Sequence, residues 1–309
     1  MKKQKDKRMS RLPGAHPNSF NIYLLPGLIG LLIIIIIPLL ANVYISFTSW
    51  RGVGMPRWTG LTNWARILHD QDFWASFGHS LLMILAVTII PTILGLLTSS
   101  LLSDVIQKKF SGRMASLFRG IFYIPQILPI AVATIIMGWI FRPEKGAVNE
   151  VLKAIGLGSM QRNWLGSSTW AMPVLMIILI WIQFGYPIVI FMSGLERVDP
   201  ELYEAASLDG ANWWRKFCTI TLPEIIPELL VVLLTSTIGA LKTFGPVYLL
   251  TKGGPGRQTI VPSYYSYTQF FQVQQVGYGA TISTALTLVI VVFAIVFSFI
   301  QNHVEKNQD

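Results

Sequence analysis

Long apolar runs alternate with short polar segments along this chain, and that pattern predicts helices rather than strands. "LLIIIIIPLL" sits in a run over about residues 21–44, and further runs cover about 78–102, 120–141, 171–194, 228–250 and 278–300. An α-helix needs about 20 apolar residues to cross the hydrocarbon core of a bilayer. Every run meets that length, and all but the fifth lack Asp, Glu, Lys and Arg in their cores. The reading is an all-α integral membrane protein with six transmembrane helices. A basic tail over 1–20 precedes a six-span domain over 21–301, and a short tail over 302–309 follows. Pro38, Pro91, Pro129 and Pro187 fall inside runs, where they predict kinks that neighbouring helices must accommodate.

Composition agrees. Of 309 residues, 52% are hydrophobic and only 13% charged, against about a quarter charged in a water-soluble domain. The formal charge of +9 has no basic stripe with interleaved aromatics beside it, so nucleic acid is not implied. Cationic loops flanking membrane spans account for it instead. One cysteine, Cys218, excludes an intrachain disulfide and a cysteine metal cluster.

Six spans place both termini on one side, and "MKKQKDKR" argues that this side is the cytoplasm. Fourteen Lys and Arg then lie inside against nine outside, with Lys242 within the fifth span. Acidic residues contribute little to orientation. The first apolar run is too long for a signal peptide and is read as a retained helix. Trp50, Trp58, Trp64, Phe73, Trp74, Trp164 and Trp170 crowd the outer loops. They form either an interfacial aromatic belt or a surface for an external partner.

The loop over 195–227 is the most ordered polar segment, and "EAASLDGANWWRKFCTITLP" lies within it. Asp199-Pro200 has the chemistry of a helix start, a carboxylate cap followed by a residue with no backbone donor. A short helix over Pro200 to Leu208 is expected, ended by Gly210 in the left-handed region. A second helical stretch over Ala211 to Thr219 leads to Pro223. Read on its residues alone, the segment is either an amphipathic helix on the inner leaflet or a grip for a cytoplasmic partner.

The segment resembles the EAA motif of permease subunits in ABC importers: EAA, three residues, Gly, nine residues, Ile, one residue, Leu-Pro. Glu204-Ala205-Ala206, Gly210, Ile220 and Leu222-Pro223 match it at seven positions. "FGPVYLLTKGGPGRQT" and "YLLPGLIGLLIIIIIPLLANVYISF" are similar to segments of the maltose-type carbohydrate branch, although Gly245 replaces the Asp or Asn of many relatives. The resemblance implies that the loop is a coupling helix seated in a groove of a cytoplasmic ATPase. Tyr203, Glu204, Ala205, Ala206, Asp209, Gly210 and Pro223 are its candidate residues. It also implies a second permease subunit, an ATPase dimer that carries ATP and Mg, and an extracytoplasmic solute-binding protein. Trp213, Trp214 and Phe217 are read as interfacial packing.

No catalytic or metal constellation and no G-x-x-x-x-G-K-[ST] phosphate loop is present, so energy must come from another protein. In the fifth span Ser236, Gly239, Ala240 and Thr243 form one small, polar stripe, and in the fourth Trp181, Gln183 and Tyr186 cluster. Such a stripe marks either helix packing or a substrate path, and the resemblance favours the path. Lys242, at roughly 3 kcal/mol if held at mid-bilayer, is expected near the outer end. It either snorkels, pairs with a partner or meets substrate. A permease for a non-sugar solute, an ion-coupled secondary transporter and a membrane enzyme are the rival readings. The last two lack their expected intramembrane carboxylates or convergent titratable groups.

Overall fold

A computed structural model describes residues 19–109 and 112–306 of the chain. The basic N-terminal tail and the last residues of the C-terminal tail lie outside the described residues. The architecture is nearly all helical, and among the described residues only an isolated Thr48–Trp58 bridge has β pairing. Among the described residues four helices are long and apolar enough to cross a membrane: Tyr23–Ser46, Gln71–Ser103, Ala171–Leu195 and Val276–Val304. Two further candidates are bent pairs, Gly120–Ile127 with Ile130–Ile140 at 98° and Trp213–Glu224 with Ile226–Leu241 at 71°.

Prolines shape these rods in a repeated way. α1 (Ser19–Leu31) passes through a π-helical turn, Leu32–Ile36, into α2 (Ile37–Ser46). After α3 (Thr62–His69), α4 (Gln71–Ile84) passes through the π turn Leu85–Ile89 into α5 (Ile90–Lys109). Pro38 and Pro91 cannot donate to the carbonyls four residues back, Ile34 and Val87, and each of those carbonyls is at the centre of a π turn. The wider turn absorbs the missing hydrogen bond and the ring clash, so the helix continues instead of breaking. The third expected span behaves differently. α6 (Gly112–Ile127) stops, and α7 (Ile130–Ile140) starts after Pro129 at nearly a right angle.

α8 (Ala147–Ala154) leads to α9 (Ala171–Gln183) and α10 (Gly185–Leu195), which together make the central rod. Close approach is bought with glycine. A Cβ on Gly95 of α5 would lie 2.6 Å from Pro187, and one on Gly185 would lie 2.1 Å from the Phe122 carbonyl. Helices can approach this closely only where no side chain intervenes.

The polar loop holds α11 (Pro200–Leu208), α12 (Trp213–Lys216), a π turn over Phe217–Thr221, and α13 (Leu222–Glu224). Pro223 repeats the proline rule, since the carbonyl it deprives belongs to Thr219 at the centre of that turn. α14 (Ile226–Leu241) is shorter than the expected run to 250: it ends at Leu241, and Val247–Thr251 forms a separate π turn. Gly245-Pro246 lies beyond that stop, at the head of the next helical turn, where a missing backbone donor is no loss. α15 (Pro262–Tyr267) and a π turn over Thr268–Gln272 precede α16 (Val276–Lys306). The Asn42 amide of α2 donates to Ser283 at 3.1 Å and to Thr284 at 2.9 Å, holding α2 to α16. Between Tyr23 and Leu40, α1 and α2 present mostly exposed apolar surface, as a lipid-facing helix requires.

Candidate functional site

Two regions carry the candidate residues, the polar loop and the pair α10 and α14. In the loop, Asp199 caps α11 by accepting from the Glu201 N–H at 2.9 Å. At the other end the Ala211 N–H reaches the Ala206 carbonyl at 2.9 Å and the Gly210 N–H reaches Ser207 at 3.1 Å. Those two bonds close a Schellman cap, which places its closing residue in the left-handed region. Gly210 occupies that position, at φ +74°. The Asn212 side chain then caps α12 through the Arg215 N–H at 2.9 Å. The helix-turn-helix therefore carries caps at its start, its turn and its restart.

None of the α11 residues is buried. Glu204, Ala205, Asp209 and Pro223 are exposed, Ala206 is half-buried, and Leu208 is 90% exposed. Tyr203 faces inward, its hydroxyl 3.0 Å from that of Thr221, and Ser207 is bonded by Lys216. These contacts fix the knob's inner side to the segment that returns to α14, while its outer side stays open. Trp213 and Trp214 stack on Phe217, which is buried, whereas Trp214 is exposed.

In the membrane pair the expected stripe divides. Ser236, Ala240 and Thr243 are buried against the chain's own helices, and Gly239 is exposed. The open face of α14 lies one position earlier, through Thr235, Gly239 and Lys242, a shift of about 100° around the helix. Thr235 was missed from sequence because it falls just off the small-residue pattern. Gln183 Nε2 donates to Ser236 Oγ at 3.2 Å, and the Tyr186 and Thr235 hydroxyls are 2.9 Å apart. Trp181 is 37% exposed. Lys242 caps the end of α14, its backbone N–H on the Ile238 carbonyl at 3.1 Å, and its side chain is exposed. It stands just past the helix and not within a continuing span.

Residues 92–309 match the family described as the binding-protein-dependent transport system inner membrane component. This chain belongs to that family. It is 31% identical to a probable ABC transporter permease of Pyrococcus horikoshii over 279 residues, covering 90% of this chain and 94% of the relative. It is 28% identical to the lactose transport system permease LacF of Rhizobium radiobacter, covering 93% and 94%. The trehalose/maltose transport permease MalF of Thermococcus litoralis is 29% identical, at 89% and 91% coverage. A solved subunit of a bacterial ABC transporter that imports the acidic polysaccharide alginate shares the fold, with a TM-score of 0.77, 23% identity, and coverage of 92% and 95%. The permease family is thus established by sequence, and the helical membrane architecture by the fold.

Proposed function

We propose that this permease is one membrane subunit of an ATP-driven importer that moves a sugar or oligosaccharide delivered by an extracytoplasmic binding protein. It crosses the membrane six times, each bent helix pair counting as one crossing, with both termini in the cytoplasm. A second, similar permease encloses the path with it. Two ATPase subunits below carry ATP and Mg and perform the hydrolysis, and this chain supplies no catalytic group. The substrate class follows the named sugars of its relatives. A tyrosine hydroxyl, a glutamine amide and a tryptophan ring suit a polyhydroxylated solute, which offers both hydroxyl groups and apolar faces.

The observation that carries this reading is the knob. α11 is capped at both ends, tied down on its inner side and exposed on its outer side, with Leu208 left 90% uncovered by the chain. That outer side sets two carboxylates, Glu204 and Asp209, beside Leu208, a mixed face that suits a protein groove. Glu204, Ala205 and Asp209 would contact the groove beside it.

The test is co-purification from membranes. The wild-type chain is expected to bring down an ATPase, and Leu208→Glu and Glu204→Lys to release it while remaining inserted. Retention of the ATPase by both variants, or its absence with the wild type, would refute the assignment.

A further inference from the structure

The two ends of the polar loop meet. Arg197, just beyond α10, forms an ion pair with Glu228 in the first turn of α14. The Arg197 side chain is 67% exposed and that of Glu228 only 11%. Glu228 lies across Gly194, where an added Cβ would sit 2.9 Å from its carboxyl carbon. Its Oε2 is buried with no hydrogen-bond partner among the described residues. One exposed guanidinium therefore holds a largely buried carboxylate that is otherwise only half satisfied. Such a carboxylate depends strongly on its partner, because losing that partner leaves a buried charge uncompensated.

The pair ties the end of α10 to the start of α14, just past a bend. The 71° bend between Trp213–Glu224 and Ile226–Leu241 falls at Ile225, which is fully buried beside Phe191, Leu195, Val198 and Val232. Farther along, Tyr186–Thr235 and Gln183–Ser236 join α10 to α14. The two helices are thus bridged at three levels, and the lowest level is ionic.

We propose that Arg197 and Glu228 are positioning residues that lock α10 to α14, so that a push on α11 moves both helices as one body. Neither residue touches the transported solute. They act by keeping the two helices from parting at the end where force enters. This inference rests on the importer reading above.

The experiment uses the complete importer in lipid vesicles. Ser193 of α10 and Val231 of α14 are both exposed, and Cys218 is the only cysteine in the sequence. Spin labels on Ser193→Cys and Val231→Cys, in a chain carrying Cys218→Ser, therefore report the separation of the two helices. The wild-type pair should give one narrow distance with and without ATP. Arg197→Gln and Glu228→Gln should broaden it and reduce stimulation of ATP hydrolysis by the binding protein. The reduction should be about fivefold or more, the lower end of coupling between distant sites. Arg197→Lys should preserve both. An unchanged distance and unchanged stimulation in Arg197→Gln would overturn the proposal. Arg197→Gln leaves the Glu228 charge uncompensated whereas Glu228→Gln removes it with the pair, so unchanged readings in whichever variant inserts overturn the proposal. If no ATPase accompanies the wild type, the importer reading fails, and the label distance in the isolated chain still decides the lock.

Discussion

The hydroxyl groups of Tyr186 and Thr235 lie 2.9 Å apart, and the Thr235 hydroxyl also lies 2.7 Å from the Val231 carbonyl. A carbonyl can only accept, so the single Thr235 proton goes to Val231 and Tyr186 must be the donor to Thr235. The Tyr186 oxygen then keeps its lone pairs free to accept, as the proposed sugar path requires. Tyr186→Phe removes that acceptor without changing the ring. With a neutral hydrogen bond worth about 1 kcal/mol, apparent affinity for the solute should fall roughly fivefold. Uptake kinetics should show this as a higher KM, with ATPase co-purification unchanged.

Two glycines separate packing from path. An alanine Cβ at Gly185 would meet the Phe122 carbonyl at 2.1 Å, whereas one at Gly239 meets nothing within 4 Å. Gly185→Ala must displace backbone, and overpacking of this kind costs about 1–3 kcal/mol. It should lower the thermal midpoint of the detergent-solubilised protein. Gly239→Leu should leave that midpoint unchanged and reduce uptake. Equal effects on stability would show that Gly239 is packed in the assembled protein.

Much of this architecture could be read from the chain because apolar length and helix caps are local signals. Asp199-Pro200 and Gly210 predicted both ends of α11, and the geometry agrees with the residues named. Hydropathy alone misjudged the fifth helix, since the apolar run continues through "TFGPVYLL" after the helix has stopped at Leu241. Gly245-Pro246 was the available signal. The exposed face of α14 was displaced by one residue because small side chains serve packing and paths alike, and only tertiary neighbours distinguish them. Arg197 and Glu228 stand at the two ends of one loop with opposite charge. Nothing in their spacing says that the loop brings its ends together.

At the opposite end of the helices, Asp70 organises a second junction. Its Oδ1 caps α4 through the N–H groups of Asp72 at 2.9 Å and Phe73 at 3.2 Å. Its Oδ2 accepts from Tyr265 at 2.6 Å and from Tyr278. Burial, and then the hydrogen bond to Asp70, raise the Tyr265 pKa above its ordinary 10.0. The unfolded chain therefore releases this proton first as pH rises. The linked stability is fully present below pH 10 and is lost as pH climbs above it toward the folded value. Alkaline titration followed by tyrosinate absorbance should show Tyr265 missing from the transition near pH 10, and Tyr265→Phe should leave that step unchanged. Asp70→Ala should lower stability by about 1 kcal/mol for the cap, with a further loss from the abandoned hydroxyl groups.

Gly210 provides the sharpest test of the knob, because its constraint is conformational and not steric. Its φ of +74° is the left-handed one, yet an added Cβ has nothing within 4 Å. Any cost of Gly210→Ala thus comes from the backbone, about 1–2 kcal/mol for an L-residue held there. Asn tolerates this region better than other residues with a side chain. Gly210→Asn should therefore retain more ATPase than Gly210→Ala, despite having the larger side chain. Gly210→Pro should retain least, since proline locks φ near −65° and removes the N–H bonded to Ser207. The expected order of ATPase recovered per inserted chain is Gly, Asn, Ala, Pro. An order that instead followed side-chain volume would place Gly210 against a surface of the partner and not at the bend of a free-standing turn.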